Sequence, residues 1–176
     1  MFVASRQSKT GHPASWPIET LLDECEIRRQ RRSGPGGQHR NKVETGIVIT
    51  HKPTGCRAEA TERRSQQRNR TNAIHRLRVE LAVNIRCSVE TSSWPSDLWR
   101  SRCRGGRVAA SEKHEDFPAV LAEVLDRLAA IDWDIQRTAD RLGCSASQLA
   151  KFLKLEPRAL AQLNDARADA GLRPLK

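Results

Sequence analysis

The sequence predicts an α+β protein: a small β-α-β-β-α unit, then a basic linker, then an α-helical C-terminal region with helix-turn-helix-like spacing. Three observations carry this. The β-branched run at 46–51 is followed by Pro53-Thr54-Gly55, and then Cys56, Ala58 and Ala60 alternate with Arg57 and Glu59, as in a hairpin. Ile74, Leu77, Leu81 and Ile85 step by three, four and four, which makes one apolar stripe on a helix. A second stripe, Leu121, Val124, Leu125, Leu128 and Ile131, opens the C-terminal third.

Taken in order, residues 1–17 are rich in Ser, Pro and His and read as a flexible leader, with only a weak likeness to an organellar presequence. The β-α-β-β-α unit is expected over 18–86. Its first strand lies at 24–29. A loop at 30–38 follows, because Gly34, Pro35, Gly36 and Gly37 forbid regular structure. Residues 39–45 read as a short helix, 46–51 and 56–61 as strands joined by a turn at 52–55, and a long helix starts near Ser65. Arg64, Arg68, Arg76 and Arg78 fall mostly off its apolar stripe, so one face packs and another is free to meet phosphate.

Residues 87–116 read as the basic linker, with five basic residues against one acid between 98 and 113. Trp99 there is suited to stacking, and Arg100, Arg102, Arg104 and Arg107 to phosphate. The helical domain, 117–176, opens with Asp116 as N-cap before Phe117 and Pro118. Helices on either side of Gly143 and a last helix over about 157–170 complete it, with Phe117, Trp133 and Phe152 as core. Ala139, Gly143 and Leu149 have the spacing of a helix-turn-helix. Its second helix offers Ser147, Gln148, Lys151 and Lys154. Docking to ribosome or RNA, a purely structural bundle, and DNA binding remain open for it, with DNA the least favoured at a regional charge of +1.

Composition narrows the function. The chain has 31 Lys and Arg against 21 Asp and Glu. Residues 23–90 alone hold 15 basic against 8 acidic residues, so most of the excess sits in the middle. Arg dominates there, and its planar fork suits phosphate, which points to a nucleic-acid partner. No apolar run is long enough for a membrane span, so no membrane partner is expected. Five cysteines with no C-x-x-C pair argue against a disulfide framework or a zinc knuckle. No metal or organic cofactor is implied.

The stretch at 33–42, Ser-Gly-Pro-Gly-Gly-Gln-His-Arg-Asn-Lys, carries the chemistry. Gly36 and Gly37 let the backbone approach a ligand closely, and they set the direction of the Gln38 N–H. Arg31, Arg32, Arg40 and Lys42 surround it with positive charge. The order Gly-Gly-Gln-His-x-Asn-Lys, then a hairpin with Pro-Thr-Gly at its turn, then Glu-Arg-Arg-Ser-Gln-Gln-Arg-Asn opening a helix, resembles the catalytic domain of class I peptide-chain release factors. It is similar in particular to the short, codon-independent relatives that rescue stalled ribosomes. The resemblance covers about 18–86.

The resemblance implies a ribosome-dependent peptidyl-tRNA hydrolase, whose partners are large-subunit rRNA and peptidyl-tRNA. Gly36, Gly37 and Gln38 would form the catalytic tip, with the Gln38 N–H stabilising the tetrahedral intermediate or the departing hydroxyl. A single aimed donor of this kind is worth roughly 10²–10³ in rate. Arg31, Arg32, Arg40, Asn41, Lys42, Arg63, Arg64 and Arg68, with the four linker arginines, are the expected RNA contacts. At Arg63, Ser65, Gln66 and Asn69, support of the loop and contact with RNA stand as equal alternatives. His39 has no carboxylate orienter beside it and is not favoured as a general base. Some relatives carry a methylated Gln, which makes a Gln methyltransferase acting on Gln38 a candidate partner. No Pro-x-Thr or Ser-Pro-Phe tripeptide of the codon-reading kind occurs, so stop-codon selectivity is not expected. The expected setting is the cytoplasm or an organellar matrix. The rival reading is a non-catalytic ribosome- or DNA-binding protein acting through the helix-turn-helix-like region.

Overall fold

Three short antiparallel strands and one long helix form the first layer pair of the computed structural model, which describes residues 11–31, 44–88 and 94–175. After a 3-10 turn at Pro13–Ser15, the elements run α1 (Ile18–Asp23), β1 (Cys25–Gln30), β2 (Gly46–His51), β3 (Arg57–Ala60) and α2 (Gln66–Asn84). Then come α3 (Asp97–Arg102), β4 (Cys103–Arg104), β5 (Arg107–Val108), α4 (Phe117–Ala130), α5 (Ile135–Leu142), α6 (Ala146–Leu153) and α7 (Pro157–Asp169). Both sheets, β1-β2-β3 and β4-β5, are antiparallel. The short helix expected at 39–45 falls mostly outside the described residues, and Glu44 and Thr45 are not helical.

Register explains the packing. Ile47 pairs with Ala60 and Ile49 with Ala58, so these four share the sheet face that α2 covers. The two alanines on β3 let the helix sit close, and Ala73, Ile74, Leu77 and Leu81 fill the interface. At the far end of the β2–β3 turn, the buried His51 imidazole donates Nε2–H to Glu24 at 3.2 Å and bonds the Thr54 hydroxyl at 2.8 Å through Nδ1. Thr54 therefore does more than shape the turn.

The stretch expected to be a flexible leader is packed where it is described. Ala14 is fully buried, Arg78 Nε donates to the Ala14 carbonyl at 2.8 Å, and His12 reaches the Ile85 carbonyl. Its apolar and hydrogen-bonding groups are few but fit the seam between α2 and α4. The six-residue α1 also lies where no helix was expected, with Leu21 fully buried beneath it.

Within 87–116 the structure places α3 and the β4–β5 hairpin. Trp99 is fully buried, donates Nε1–H to the Leu142 carbonyl at 2.8 Å and packs edge-on against Phe152. It is therefore not a free stacking platform for a base; its ring belongs to the core. Asp116 precedes α4 as expected but makes no side-chain cap. Its carboxylate instead holds Arg102, at 2.8 Å from Nε and 2.5 Å from Nη2.

The C-terminal helices follow the sequence pattern. The α5 helix ends in a Schellman closure at Gly143, whose N–H reaches the Asp140 carbonyl while Cys144 N–H reaches Ala139. Ser145 then caps α6 by accepting from Gln148 N–H. Phe117 and Phe152 are buried as expected; Trp133 is only partly so. One continuous set of buried side chains runs from Ile49 and Leu77 through Leu121 and Leu125 to Leu149 and Leu163. No helix among the described residues is long and apolar enough to cross a membrane.

Candidate functional site

The connection between β1 and β2 leaves and rejoins the sheet at paired ends, Gln30 opposite Gly46. A Cβ at Gly46 would lie 2.8 Å from Gln30 Cγ, 2.9 Å from the Gln30 carbonyl oxygen and 3.0 Å from Thr61 Cγ2. Glycine is thus required here by close approach of the neighbouring strand. Gly36, Gly37 and Gln38, with Arg32, Arg40, Asn41 and Lys42, lie outside the described residues. The structure describes instead how the base of their loop is held.

The N-terminal end of α2 holds it. Asn69, fully buried, donates from Nδ2 to the Thr45 carbonyl at 2.7 Å and to the Arg63 carbonyl at 2.9 Å, while its Oδ1 accepts from Arg63 N–H at 2.9 Å. Gln66 donates to the Glu44 carbonyl at 3.0 Å. Ser65 Oγ caps the helix by accepting from Arg68 N–H at 3.3 Å. Arg31 closes the base from the other side, 3.4 Å from Glu44. Ser65 thus caps its own helix, while the side chains of Gln66 and Asn69 hold the chain entering β2.

The arginines divide into paired and unpaired sets. Arg63, Arg64, Arg68 and also Arg70 are exposed around the start of α2, and none meets a carboxylate among the described residues. Further along the helix, Arg76 is held by Glu62 at 2.9 Å, and Arg78 is half-buried against Ala14. The broad groove of about 1010 Å³ along this face has mixed charge, with Arg70, Arg76, Glu80 and Glu112 all in its lining. In the expected linker, Arg100 pairs with Asp97 at 2.8 Å and Arg102 with Asp116, whereas Arg104 and Arg107 stand exposed on the β4–β5 hairpin. Sequence reasoning singled out neither Gly46 nor Arg70; the signal for Gly46 was a glycine opening an otherwise β-branched strand.

One cluster among the described residues has the donor types of a metal site. His12, Cys87 and Asp126 each bring a ligand atom within 4.8 Å of the others. The hydrogen bonds of His12 and Asp126 serve the fold, however. His12 Nδ1 accepts from Ala14 N–H at 3.0 Å, its Nε2 donates to Ile85 at 3.2 Å, and Asp126 accepts from Cys87 N–H at 3.0 Å. Burial lowers the His12 pKa and pushes the Asp126 carboxyl up to about 6, against the pull of Cys87 N–H and the Arg86 guanidinium. Burial also pushes the Cys25 and Cys144 thiols up to about 11 and raises Cys87 and Cys103, so none of these four is an activated nucleophile.

A three-stranded sheet backed by one long helix, whose first turn holds the chain where it enters β2, defines a small α+β domain. The chain belongs to the RF-1 domain family, which matches residues 15–111, more than half of its length. It is 47% identical over 66 residues to the chloroplastic peptide chain release factor PrfB1 of Arabidopsis thaliana, covering 38% of this chain and 14% of that protein. Peptide chain release factor 1 of Chloroherpeton thalassium is 37% identical over 101 residues, 57% of this chain and 28% of the relative. Peptide chain release factor 1 of Xylella fastidiosa is 47% identical over 81 residues, 46% of this chain and 20% of the relative. The matched part of the chain thus spans less than a third of the length of these relatives.

Proposed function

We propose that the protein is a ribosome-dependent release factor that promotes hydrolysis of the ester between nascent peptide and tRNA in the large-subunit peptidyl-transferase centre, whatever codon the decoding site holds. The observation that carries the reading is the clamp at the loop base. Gln66 fixes the Glu44 carbonyl and Asn69 the Thr45 carbonyl, six and seven residues beyond Gln38, so the chain that returns from the glycine motif enters β2 on a hydrogen-bonded stem. Family membership and the arginines around that stem that meet no carboxylate among the described residues support the same reading.

The chemistry required of the protein is small. The ester lies in a site made of RNA, so the chain has to supply position and one directed donor. The Gln38 N–H, aimed by Gly36 and Gly37, would stabilise charge on the oxygen of the reacting ester, and the Gln38 side chain would help admit water as the nucleophile. Arg31, Arg32, Arg40, Asn41, Lys42, Arg63, Arg64 and Arg68 would meet rRNA phosphates. On this reading residues 18–86 are the hydrolytic unit, 117–176 form a helix-turn-helix-like docking domain, and Gln38 is the residue a Gln methyltransferase would modify.

The test is peptide release from purified ribosomes carrying labelled peptidyl-tRNA, with the decoding site empty, filled by a sense codon or filled by a stop codon. Gly37→Ala, which redirects the backbone without changing charge, is expected to lower the release rate by roughly 10²–10³ and to leave ribosome affinity within about twofold. Equal loss of binding and release would defeat the positional argument. Release confined to stop codons would defeat the codon-independent part.

A further inference from the structure

Four arginines lie between 100 and 107, and the fold neutralises two of them. Arg100 and Arg102 are held by Asp97 and Asp116. Arg104 and Arg107 have no carboxylate partner among the described residues, and they face each other directly across the β4–β5 ladder. Like charges directly opposite on a hairpin destabilise it. The two-residue turn between them, Gly105 and Gly106 with φ of +55° and +73°, fixes that opposition tightly. A strained cationic pair held rigidly at a surface is poised for an anion.

The hairpin is not an isolated arm. Its second strand packs on α6, and a Cβ at Gly106 would come 3.8 Å from the Gly143 carbonyl, so the hairpin tip abuts the α5–α6 turn. Trp99, buried under Leu142, anchors α3 and hence the hairpin to the same helices. Between hairpin and helix lies a recess of about 390 Å³, bordered by Arg107, Gln148 and Lys151 over a floor that includes Phe152. Lys151 is exposed and carries no ion pair among the described residues. Three unneutralised cations from two elements distant in sequence therefore border one surface.

We propose that the β4–β5 hairpin and α6 together form a second docking surface, for the phosphate backbone of double-stranded RNA. The aromatic rings beside it, Trp99 and Phe152, are buried, so it presents no platform on which an unpaired base could stack. The α6 helix has eight residues, and Gln148 is half-buried beside the hairpin, which leaves short or cationic side chains for contact and little for reading base edges. Shape and phosphate recognition of an A-form duplex requires no more than this. The choice of RNA over DNA rests on the reading of the ribosome as partner.

The experiment measures binding of the full-length protein to a fluorescein-labelled RNA duplex of about 16 base pairs, with the same DNA duplex and a single RNA strand as competitors, over a range of salt. The combined variant Arg104→Ala, Arg107→Ala, Lys151→Ala is expected to lose at least tenfold in duplex RNA affinity. Its salt slope should fall by about one per charge removed. Arg104→Lys with Arg107→Lys, which keeps the charge, should restore most of the affinity and guards against misfolding of the alanine variant. In the release assay the alanine variant should reach the wild-type maximal rate at a higher half-saturating concentration. Unchanged duplex affinity and slope would overturn the proposal, and so would tighter binding of the DNA duplex through the same residues. If wild type releases no peptide but the alanine variant still loses duplex binding, the hydrolase reading fails while this surface stands.

Discussion

The two ends of α2 are built on opposite terms. At its N-terminal end, Ser65, Gln66 and Asn69 spend their polar groups on a cap and on the carbonyls of Thr45, Glu44 and Arg63, and four exposed arginines meet no acid among the described residues. At its C-terminal end the protein claims the backbone for itself. Arg86 donates to the Ala82, Val83 and Ile85 carbonyls, Gln162 from α7 donates to Val83 at 2.9 Å, and His12 donates to Ile85. Helix ends always carry orphan groups that something must satisfy. Here one end is satisfied in a way that holds the chain entering β2 and leaves arginines exposed, and the other in a way that fastens the C-terminal helices. Substitutions at the first end should register in function, and those at the second in stability and its pH dependence.

The largest expected effect tests the first half of that contrast. Asn69→Ala removes three hydrogen bonds from a fully buried position and strands two backbone groups of Arg63 and the carbonyl of Thr45. The expected loss is about 3–5 kcal/mol in urea unfolding, since each unsatisfied buried group costs roughly 1–3 kcal/mol. Release should fall as well, by more than the unfolded fraction explains, because the loop stem loses its mount. Asn69→Asp should be no better than Ala, for a carboxylate cannot donate to the two carbonyls. Loss of stability with undiminished release by the folded fraction would break the link between clamp and chemistry.

Much of the first end was legible in the sequence. The Pro-Thr-Gly turn and the Ser65 cap are local signals, and the strands and α2 appear within a residue or two of where alternation and the 3-4-4 stripe place them. The other end was not legible, because its contacts are long-range. Nothing near Ala14 announces that it is buried under α2, and nothing in Arg102 distinguishes it from Arg104 until Asp116 comes beside it. Trp99 failed for the same reason: a basic, glycine-containing neighbourhood reads as open chain, whereas its burial depends on α5, some forty residues away. Periodicity finds a helix's buried face, but it does not say what covers that face.

The second half of the contrast is tested by Asp126→Asn. Asp126 sits at the junction with Cys87 and His12 beside it, the Arg86 and Arg127 cations nearby, and Glu123 one turn away on the same helix. Burial raises its folded pKa from 3.8 to about 6. Below the unfolded value the carboxyl is neutral in both states and costs nothing. As pH rises toward and through 6, ionisation favours the unfolded chain, and stability is lost until the folded-state carboxyl has also titrated. The variant should therefore match wild type near pH 4 and be more stable by up to roughly 3 kcal/mol above pH 7, as about two pKa units imply. Chemical unfolding at the two pH values measures it. A variant that is destabilised at both would mean that the charged carboxylate holds the junction together. Release at saturating factor should be unchanged.

The smallest effect returns to the loop end without touching any charge. Gly46→Ala drives a methyl group against Gln30 Cγ, the Gln30 carbonyl oxygen and Thr61, two of these contacts closer than 3.0 Å, and forces the loop ends apart. The expected cost is about 1–3 kcal/mol, typical of overpacking. The informative control is Gly55→Ala on the opposite end of β2. There the Cβ meets nothing within 4 Å, but φ is +73°, so the cost is backbone strain of about 1–2 kcal/mol with no displacement of the loop. The two variants should therefore be similar in stability and different in function. At a temperature where both are folded, Gly46→Ala should release peptide severalfold more slowly than wild type, and Gly55→Ala at close to its rate. Equal rates for the two would mean that the spacing of the loop ends does not matter, and that the clamp through Asn69 alone positions the tip.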